Sequence, residues 1–466
     1  TTPIYYVNDK PHIGHAYTTI LADVLARFYR NSNQETYFLT GLDEHGQKVQ
    51  QAAEERGVNP QKHCDEMAPR FTDLWEKLHI SHDDFIRTTE DRHKKVVRDI
   101  LQQVMDKGDI YEAEYEGLYS VSEERFITEK EAETGDFRDI KKLKEKNYFF
   151  KMSKYQQALI DHIESNPTFI QPEHRKNEIL GFLKKPLNDL CISRPKSRLN
   201  WGIELPFDSD YVTYVWFDAL INYITSPGFS TNEKSFNKWW PASMHLIGKD
   251  ILTTHAVYWP TMLMSAGLEL PKTIFAHGWW LMGESKMSKS LGNVINPMDL
   301  IDDYGVDPVR YYLMREMVLG QDSSFTMESF IQRYNSDLAN DFGNLLSRVS
   351  TLMKKNYDGK IPNHGELTDV EKAIKSNGES LAELVKDKIE SMRLNEAIEE
   401  IMQYVRSVNK YMEDNAPWKL VKEDKDAAGR VLYTAGEALR ISAVLLSPVM
   451  PNRTAILLNA LNAQGT

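Results

Sequence analysis

The sequence predicts an α/β fold in which a parallel sheet is interrupted by an insertion and followed by a C-terminal α-helical bundle. Ile4 to Val7 is rich in β-forming residues, and positions 13 to 28 carry apolar residues at helical spacing. Glu35 to Thr40 then returns to strand composition before Gly41. Strand, helix and strand in this order predict a parallel βαβ unit.

Further strand-like segments lie at Phe85 to Thr89, Met244 to Gly248 and Thr273 to Met282. The long gap between the first and second of these indicates that an insertion interrupts the sheet. The stretch from about Tyr111 to Leu205 fits this insertion, because it has strand-like patches of its own, charge runs and a helical pattern around Lys154 to Ser165. We therefore predict a separate lobe there.

Beyond about Phe330 the pattern is helical. Apolar residues recur at helical spacing from Leu338 to Leu352, from Leu381 to Met412 and from Ala427 to Leu446. These stretches predict an α-helical bundle at the end of the chain.

Composition excludes several classes of protein. The 466 residues carry a formal net charge of −12, which argues against coating nucleic acid through bulk electrostatics. The sequence contains neither a run of 18 apolar residues nor a signal-peptide pattern, so we expect no membrane association. The two cysteines, Cys64 and Cys191, are too few for a disulfide framework and favour a reducing compartment. We expect a cytoplasmic location, with an organellar one as the alternative.

Any contact with RNA must therefore be local. Two basic segments are candidates, the lysines between positions 141 and 154 and the segment Arg194 to Arg198. For each segment alone, a solvated surface explains the charges as well as an RNA-binding patch does.

The strongest local motif is Pro11-His12-Ile13-Gly14-His15, where the first predicted strand gives way to the first predicted helix. A helix N-terminus favours phosphate, because its backbone N–H groups and the positive end of its dipole are presented there. His12 and His15 share one helical face and can donate to phosphate oxygens. Gly14 leaves room for a flat adenine ring. The alternative interpretation is two surface histidines near a helix start.

A second motif, Lys286-Met287-Ser288-Lys289-Ser290, lies between Gly283 and Gly292, which predicts a loop with two ammonium groups. Lysine is a flexible point charge that suits a pyrophosphate leaving group. Such a loop alone is usually only solvated. Together the two motifs resemble the two signatures of class I aminoacyl-tRNA synthetases, written HIGH and KMSKS, and neither carries a substitution.

Four further segments resemble methionyl-tRNA synthetases in particular. They are Thr2 to Asn8, Gly41 to Gly46, Tyr214 to Ala219 and Gly248 to Ile251. The resemblance implies an enzyme that ligates L-methionine to tRNA(Met) at the expense of ATP with Mg²⁺. The implied route passes through a methionyl-adenylate intermediate and releases AMP and pyrophosphate, and it needs no nucleophile from the protein.

The resemblance also assigns the sites. The catalytic residues, which also contact ATP, are implied to be His12, His15, Lys286 and Lys289. Further ATP contacts are implied for Gly14, Gly248 and Asp250, although Asp250 has a helix cap as its alternative role. Asp43 is implied to hold the substrate ammonium. The residues implied to line the methionine side-chain pocket are Ile4, Tyr6, Trp216, Ala219, Leu220, Tyr223, His255 and Trp259.

The chemistry of these residue types agrees with the assignment. Aromatic rings contact a polarizable thioether favourably, at roughly 0.3–1.5 kcal/mol each, and a Tyr or His proton can reach the sulfur. A carboxylate suits the α-amine. For each aromatic residue taken singly, ordinary core packing is the alternative.

The sequence departs from the family in the insertion. Many relatives open a zinc knuckle with Tyr-Cys-Val-Ser-Cys, whereas this chain reads Tyr119-Ser120-Val121-Ser122-Glu123. Two cysteines in the whole chain cannot supply four thiolates, so we expect no structural zinc.

The C-terminal bundle contains a candidate RNA-reading cluster. Asn344 and Arg348 are four residues apart and share a helical face, and Trp418 follows a later helix end. By resemblance these three residues read the CAU anticodon, since unpaired bases stack on indole and guanidinium while Asn and Arg bond to base edges. For Arg348 alone, a surface ion pair is the alternative.

With these roles the chain divides into five segments, and we expect a monomer. The segments are residues 1–111, the first half of a Rossmann-like catalytic domain; 112–205, a connective insertion without zinc; 206–279, the second half of the catalytic domain; 280–335, a stem-contact region with the KMSKS loop; and 336–466, an α-helical anticodon-binding domain.

Three alternatives compete with this prediction. A synthetase for leucine, isoleucine or valine shares both signatures, but carries a larger editing insertion than the roughly 90 residues predicted here. A nucleotidyltransferase acting on a small metabolite would not need the RNA-reading cluster. A catalytically silent RNA-binding paralogue is disfavoured because both histidines and both loop lysines are intact.

Overall fold

The chain forms two compact units, which are described here from a computed structural model that covers residues 1–7, 10–120, 125–127, 129–134, 139–282, 285–286 and 295–463. The first unit comprises Thr1–Pro11, Tyr37–Asp73 and His82–His277. The second comprises His12–Thr36, Leu74–Ser81 and Gly278–Thr466. The chain passes between the units several times, so neither is a continuous segment. The boundaries of the five predicted segments stay a prediction.

The strands of the described residues are short except for two in the insertion. They are β1 (Ile4–Tyr6), β2 (Leu39–Asp43), β3 (Asp84–Arg87), β4 (Ile110–Ser120), β5 (Arg125–Ile127), β6 (Ile140–Phe150), β7 (Ile170–Gln171), β8 (Leu190–Cys191), β9 (Ser193–Pro195), β10 (Glu204–Leu205), β11 (Asp208–Thr213), β12 (His245–Gly248), β13 (Ile274–His277), β14 (Trp280–Met282), β15 (Ser285–Lys286) and β16 (Ser323–Ser324).

The helices dominate the second half of the chain. They are α1 (Ile13–Asn31), α2 (Gln47–Glu55), α3 (Pro60–Lys77), α4 (Asp91–Asp106), α5 (Glu129–Thr134), α6 (Gln156–Ser165), α7 (Glu173–Phe182), α8 (Val215–Leu220), α9 (Asn222–Thr225), α10 (Glu233–Trp239), α11 (Trp259–Ala266), α12 (Pro297–Tyr304), α13 (Val306–Glu316), α14 (Met327–Arg333), α15 (Asn344–Asn356), α16 (Asp369–Glu390), α17 (Leu394–Asn415), α18 (Pro417–Leu420), α19 (Lys425–Leu446) and α20 (Pro451–Ala460). Two π-helices, Thr254–Tyr258 and Tyr334–Gly343, lie between them.

Two parallel sheets form the centre of the first unit. In one, β2 lies between β1 and β3; in the other, β13 lies between β12 and β7. Thr1 joins the two sheets, because its backbone nitrogen donates to Met244 O at 2.9 Å and its carbonyl accepts from Leu246 N at 2.9 Å. The predicted α/β architecture with an interrupted parallel sheet is confirmed.

Two predicted strands differ from the structure by more than two residues. Positions 35 to 38 are not strand, and β2 runs through Gly41 to Asp43. Gly41 serves close packing rather than strand termination, since a Cβ there would lie 2.1 Å from Ile86 O on β3. The single strand predicted from Thr273 to Met282 is wrong, because β13 and β14 belong to different sheets. Gly278 lies in the break, where a Cβ would meet Gln321 O at 2.0 Å.

The predicted insertion carries antiparallel sheets of its own, but its β7 pairs with β13 in a central parallel sheet. A separate lobe over this whole stretch stays a prediction. Strands β4 and β6 pair along eleven residues, and β5 and β8 flank them. The basic segment expected near positions 141 to 154 is largely neutralised by ion pairs, which favours the solvated-surface interpretation. These pairs are Lys142 with Glu116, Lys144 with Glu114, Lys146 with Glu112 and Lys154 with Asp109.

The second unit contains α1, a small sheet of β14, β15 and β16, and the C-terminal bundle, in which α16, α17 and α19 pack against one another. The predicted bundle is confirmed. The stripe predicted from Leu381 to Met412 is split between α16 and α17, because Met392 takes a left-handed conformation (φ 57°) that ends the helical path. Within the described ranges, no helix combines the length and apolar character that crossing a membrane requires.

A buried ion pair anchors α1 in the second unit. Every residue of α1 from Ala16 to Ala26 is buried, so Asp23 must find partners inside the protein. Arg310 of α13 donates to Asp23 Oδ2 at 2.6 Å and also to the carbonyls of Leu78, Pro448 and Val449. Burial would raise the pKa of Asp23, but Arg310 and Arg27 hold it below its usual value. One guanidinium therefore ties four chain segments together.

Replacing Arg310 by Met leaves the Asp23 carboxylate buried without its principal partner. We expect Arg310→Met to lower the free energy of unfolding by about 3–5 kcal/mol, the usual cost of breaking a buried pair. Chemical denaturation measures this loss. The matched control is Arg440→Ala, which removes a half-exposed pair with Glu437 and should cost less than about 1 kcal/mol. Equal losses in both variants would contradict the anchoring role.

Candidate active site

The carboxyl ends of the parallel strands in the first unit present several predicted site residues. Tyr6 ends β1 and lies in register with Asp43, which ends β2. Gly248 ends β12 beside the end of β13. In open parallel sheets this edge is where ligands bind. Asp43 is only 3% exposed, and the Lys48 ammonium lies 5.6 Å from the centre of the Tyr6 ring.

The loop that follows Asp43 is held rigidly. Glu44 is fully buried, and its carboxylate accepts from Arg87 Nε at 2.7 Å and from the Thr89 hydroxyl. The Glu44 N–H donates to Thr88 Oγ1 at 2.9 Å, and its carbonyl accepts from the Trp201 indole N–H. The N–H and the carbonyl of Glu44 are thus both hydrogen-bonded, which restricts the position of the Asp43 backbone.

His45, the next residue, joins a buried network. Its Nδ1 lies 2.6 Å from one carboxylate oxygen of Asp218, and His93 Nε2 lies 2.6 Å from the other. All three side chains are buried. Burial would raise the pKa of Asp218, but the two histidines outweigh it and the pKa stands below its usual value. The carboxylate therefore accepts from both imidazoles.

The residues predicted for the methionine pocket lie in the first unit, on β1, α8, α9, the π-helix Thr254–Tyr258 and α11. Aromatic contacts connect four of them. The ring centres of Trp216 and His255 are 6.2 Å apart, with the rings edge-on. The ring centre of Tyr223 lies 5.7 Å from that of His255 and 5.9 Å from that of Trp259. Ala219 and Leu220 are buried on α8, and Ile4 is half-buried on β1. The rings of Trp216, Tyr223, His255 and Trp259 thus form one aromatic cluster.

Hydrogen bonds fix the protonation of His255. Its Nδ1 lies 2.9 Å from the Ile251 carbonyl, which can only accept, so Nδ1 carries the proton. Nε2 then accepts from the Tyr223 hydroxyl at 2.8 Å. Both protons that were expected to reach the methionine sulfur are therefore engaged within the protein. In this arrangement the cluster offers a thioether its rings rather than these two protons.

His245 belongs to the same cluster, although the sequence analysis did not single it out. It is fully buried on β12, its ring lies 4.0 Å from that of Tyr223, and Trp259 Nε1 donates to its Nε2 at 3.2 Å. Glu44, His93 and Asp218 were missed as supporting residues as well. Asp218 stands in one of the family segments, and only that position signalled it; His93 gave no signal in the sequence.

Asp250 follows the end of β12, and a helix cap stays the alternative to its predicted ATP contact. It lies inside the 3₁₀-helix Lys249–Ile251, which has no side-chain cap, and its carboxylate is folded over Gly248. A Cβ at Gly248 would lie 2.6 Å from Asp250 Oδ1. A side chain at position 248 would therefore displace the Asp250 carboxylate.

His12 and His15 lie in the second unit at the start of α1. His12 is the N-cap: its Nδ1 accepts from Gly14 N at 3.0 Å, while His15 Nδ1 accepts from His12 N at 3.1 Å. Two imidazoles thus form a reciprocal capping box of the kind usually made by Ser or Thr with Glu. Because each Nδ1 accepts, a neutral ring must carry its proton on Nε2.

Gly14 has a structural reason beyond the space for adenine that the sequence suggested. A Cβ at this position would lie 2.9 Å from His12 Cε1 and 3.1 Å from His12 Nδ1. Any side chain would therefore disturb the His12 ring. The ring centres of His12 and His15 are 3.9 Å apart.

The lysine motif is only partly described. Lys286 ends β15, whose backbone pairs with β14 through Leu281. Lys289 lies outside the described residues. The roles assigned to both lysines remain predictions.

The candidate RNA-reading residues lie in the C-terminal bundle of the second unit. Asn344 begins α15 and is exposed, and Trp418 of α18 is 40% exposed. Arg348 forms the surface ion pair that was its alternative role, with Nη1 3.4 Å from Glu413 Oε1 on α17. Such an exposed pair contributes about 0–1 kcal/mol, which an RNA ligand can readily replace.

A cation–π cluster surrounds Tyr119, the residue before Ser120, where the sequence first departs from the zinc-knuckle pattern. Tyr119 of β4 is buried under two guanidinium groups, with Arg198 at 4.5 Å and Arg194 at 5.3 Å from its ring centre. Arg194 also lies 4.6 Å from the ring centre of Tyr214. These contacts link β4 to the segment that begins at β9. The absence of zinc stays a prediction.

The buried histidines predict a pH dependence of stability. Burial lowers the pKa of His255 to about 4, against 6.5 in the unfolded chain. As pH falls from 6.5 towards 4, the unfolded chain binds a proton that the folded chain excludes, so stability falls by about 3 kcal/mol through this group. Denaturation curves between pH 7.5 and 5 should therefore be steeper in pH for the wild type than for His255→Asn. Parallel pH dependences would contradict the assignment.

Two family profiles match this chain. The profile of the family described as "tRNA synthetases class I (M)" matches residues 1–136 and 137–350. The profile described as "Anticodon binding domain of methionyl tRNA ligase" matches residues 361–466. Together the two profiles cover most of the chain.

Curated relatives and solved structures agree with these profiles. The chain is 47% identical to the methionine–tRNA ligase of Clostridium tetani over all of its length and 74% of that protein, and 48% identical to that of Fusobacterium nucleatum over 97% and 72%. Mycobacterium tuberculosis methionyl-tRNA synthetase in complex with methionyl-adenylate matches with a TM-score of 0.95 at 42% identity, covering 98% of this chain and 92% of that one.

These findings exclude the alternatives drawn from other synthetases and from metabolite nucleotidyltransferases. Identity above 40% over nearly the whole chain is shared with enzymes that act on methionine and tRNA. The chain therefore belongs to the methionyl-tRNA synthetase family of the class I aminoacyl-tRNA synthetases, the enzymes that activate methionine with ATP and charge tRNA with it.

Proposed function

We propose that the aromatic cluster of the first unit holds the methionine side chain and that Asp43 holds its ammonium. The support is the register of the strands, which sets Tyr6 beside the buried Asp43 carboxylate, and the convergence of the Trp216, Tyr223 and His255 rings. A buried carboxylate pairs strongly with an ammonium, and ring faces suit a polarizable sulfur. Ile4, Ala219, Leu220 and Trp259 complete the apolar lining in this proposal.

The phosphates of ATP are assigned to the start of α1. Each Nδ1 of His12 and His15 accepts a backbone N–H, so each ring directs its Nε2–H away from the capping bonds. The two imidazoles and the helix N-terminus then act as donors that meet negative charge as it develops. Gly14, Gly248 and Asp250 are assigned to the adenosine, and Lys286 and Lys289 to the pyrophosphate.

Magnesium is assigned to the nucleotide rather than to a protein site. Mg²⁺ keeps most of its water and binds chiefly to phosphates, so it needs no dedicated cage. In the described part of the chain, no group of three or more His, Cys, Asp or Glu side chains could hold a metal ion. The ion would neutralise phosphate charge that the chain's own cations only partly offset.

The reaction then needs positioning and electrostatics only. The methionine carboxylate attacks the α-phosphate in line and pyrophosphate leaves, which gives methionyl-adenylate. A ribose hydroxyl of the terminal tRNA adenosine next attacks the acyl carbon and AMP leaves. His12 and His15 stabilise the charge that builds on the phosphate oxygens, and Asp43 sets the orientation of the attacking amino acid.

The anticodon is assigned to Asn344, Arg348 and Trp418. Their exposure and the weak Arg348 to Glu413 pair leave these side chains available to an unpaired base. We further assign the chain to the cytoplasm and to a monomeric state. Size-exclusion chromatography with light scattering tests the oligomeric state directly.

The aromatic cluster and the buried Asp43 carboxylate carry this proposal, and pyrophosphate exchange tests it. We expect exchange of labelled pyrophosphate into ATP to depend on methionine and to fall at least about tenfold in kcat/KM for methionine in Asp43→Asn. The KM for ATP should stay nearly constant. Exchange driven better by leucine or valine, or an unchanged KM for methionine in Asp43→Asn, would contradict the assignment.

The lysine motif makes a separate prediction for the same assay. Lys289→Ala should slow adenylate formation at least about tenfold and leave methionine binding nearly unchanged, because its ammonium would act on the leaving pyrophosphate. Pre-steady-state exchange and equilibrium methionine binding measure the two effects. Equal losses in both would exclude this role.

The anticodon assignment predicts a loss confined to RNA. Arg348→Ala and Trp418→Ala should each lower kcat/KM for charging of tRNA(Met) by about tenfold or more, the equivalent of one lost base contact of 1–3 kcal/mol. Pyrophosphate exchange without tRNA should not change. Lys372→Ala on the exposed start of α16 serves as a surface control. Normal charging by both variants would reject the cluster.

A further inference from the structure

The Asp218 carboxylate joins three chain segments inside the first unit. One oxygen meets His45 Nδ1, in the loop that follows Asp43, and the other meets His93 Nε2 on α4, both at 2.6 Å. Asp218 itself lies on α8, the helix that also carries Trp216, Ala219 and Leu220. All three members of the network are buried, and nothing in the proposed reaction uses them.

The network connects the two ends of the proposed methionine site. Asp43 stands two residues before His45, and the Glu44 between them is fixed by Arg87 and Thr88. The Asp43 backbone therefore moves with His45. On the other side, Trp216 stands two residues before Asp218 on a short helix. The Asp218 carboxylate thus links Asp43 to Trp216 of the aromatic cluster. Asp43, which is proposed to bind the substrate ammonium, is called the ammonium anchor below.

We infer that Asp218 is a positioning residue that sets the distance between the ammonium anchor and the aromatic cluster, and so selects amino acids by side-chain length. This inference rests on the proposed assignment of Asp43 and the aromatic cluster. It goes further by naming a group that touches no substrate and yet determines which substrate fits. Amino acids shorter or longer than methionine cannot reach both ends of a site whose length is fixed.

The chemistry of the carboxylate explains why no other side chain serves as well. Both imidazoles present an N–H, and a carboxylate offers an acceptor to each. Charge-assisted bonds of this length are roughly twice as strong as neutral ones. An asparagine at position 218 has nearly the same shape but offers one acceptor and one NH₂ group. One histidine would then face a donor and would have to change its tautomer or leave.

The test compares substrates of different length. In Asp218→Asn we expect kcat/KM for methionine to fall at least about tenfold in pyrophosphate exchange, since a misplacement of about 1 Å can cost about a hundredfold. The values for S-methylcysteine, one methylene shorter, and ethionine, one methylene longer, should fall less. The preference for methionine over both should therefore drop at least about threefold, with the KM for ATP unchanged.

A second pair of variants separates positioning from folding. Glutamine can present an N–H where His93 Nε2 donates, whereas alanine cannot. His93→Gln should keep the preference for methionine, and His93→Ala should lose it as Asp218→Asn does. The matched control is Glu371→Gln in the C-terminal bundle, where a buried carboxylate accepts from Tyr411 at 2.6 Å. It should leave exchange kinetics with all three amino acids unchanged.

The outcomes are distinguishable. A reduced preference in Asp218→Asn and His93→Ala, with rescue in His93→Gln, supports the inference. Equal losses for all three amino acids in those variants would overturn it, since a merely structural role lowers every rate alike. An unchanged KM for methionine in Asp43→Asn and Trp216→Ala would instead reject the proposed methionine site itself.

Discussion

A charged side chain that leaves water must find a partner, and this constraint organises both units. In the first unit, the buried Asp218 accepts hydrogen bonds from His45 and His93, each more than a hundred residues away in the sequence. In the second unit, the buried Asp23 of α1 forms an ion pair with Arg310. In each case the hydrogen-bonded carboxylate fixes an element that carries residues assigned to the proposed sites. Apolar packing without these hydrogen bonds would restrict the positions of these loops and helices less.

Histidine performs different tasks in the two units, and the hydrogen bond at Nδ1 decides which. In His12 and His15 each Nδ1 accepts a backbone N–H, which leaves Nε2 as the donor of a neutral ring. In His255, Nδ1 donates to a carbonyl and Nε2 accepts from Tyr223. Backbone groups therefore set the tautomers, and a neutral histidine carries its proton on Nε2 in His12 and His15 but on Nδ1 in His255.

Much of this organisation could be predicted from the sequence, because it depends on local signals. The βαβ opening, the interrupted sheet and the helical end follow from hydrophobic periodicity, and the motif at residues 11 to 15 follows from its position between strand and helix. The extension of β2 through Gly41 could not be predicted, since the reason is the approach of Ile86. The same holds for His93 and His245, whose roles arise only when distant segments pack. The cation–π cluster around Tyr119 also requires three segments to meet.

In the proposed methionine site, Asp43 and the aromatic cluster hold the two ends of the substrate, and buried hydrogen bonds fix the distance between them. A crystal structure of this chain with bound methionine tests this arrangement. We expect the ammonium within hydrogen-bond distance of the Asp43 carboxylate and the sulfur in van der Waals contact with the rings of Trp216 and Tyr223. A methionine whose side chain lies outside that cluster, or whose ammonium faces away from Asp43, would show that these residues do not form the methionine site.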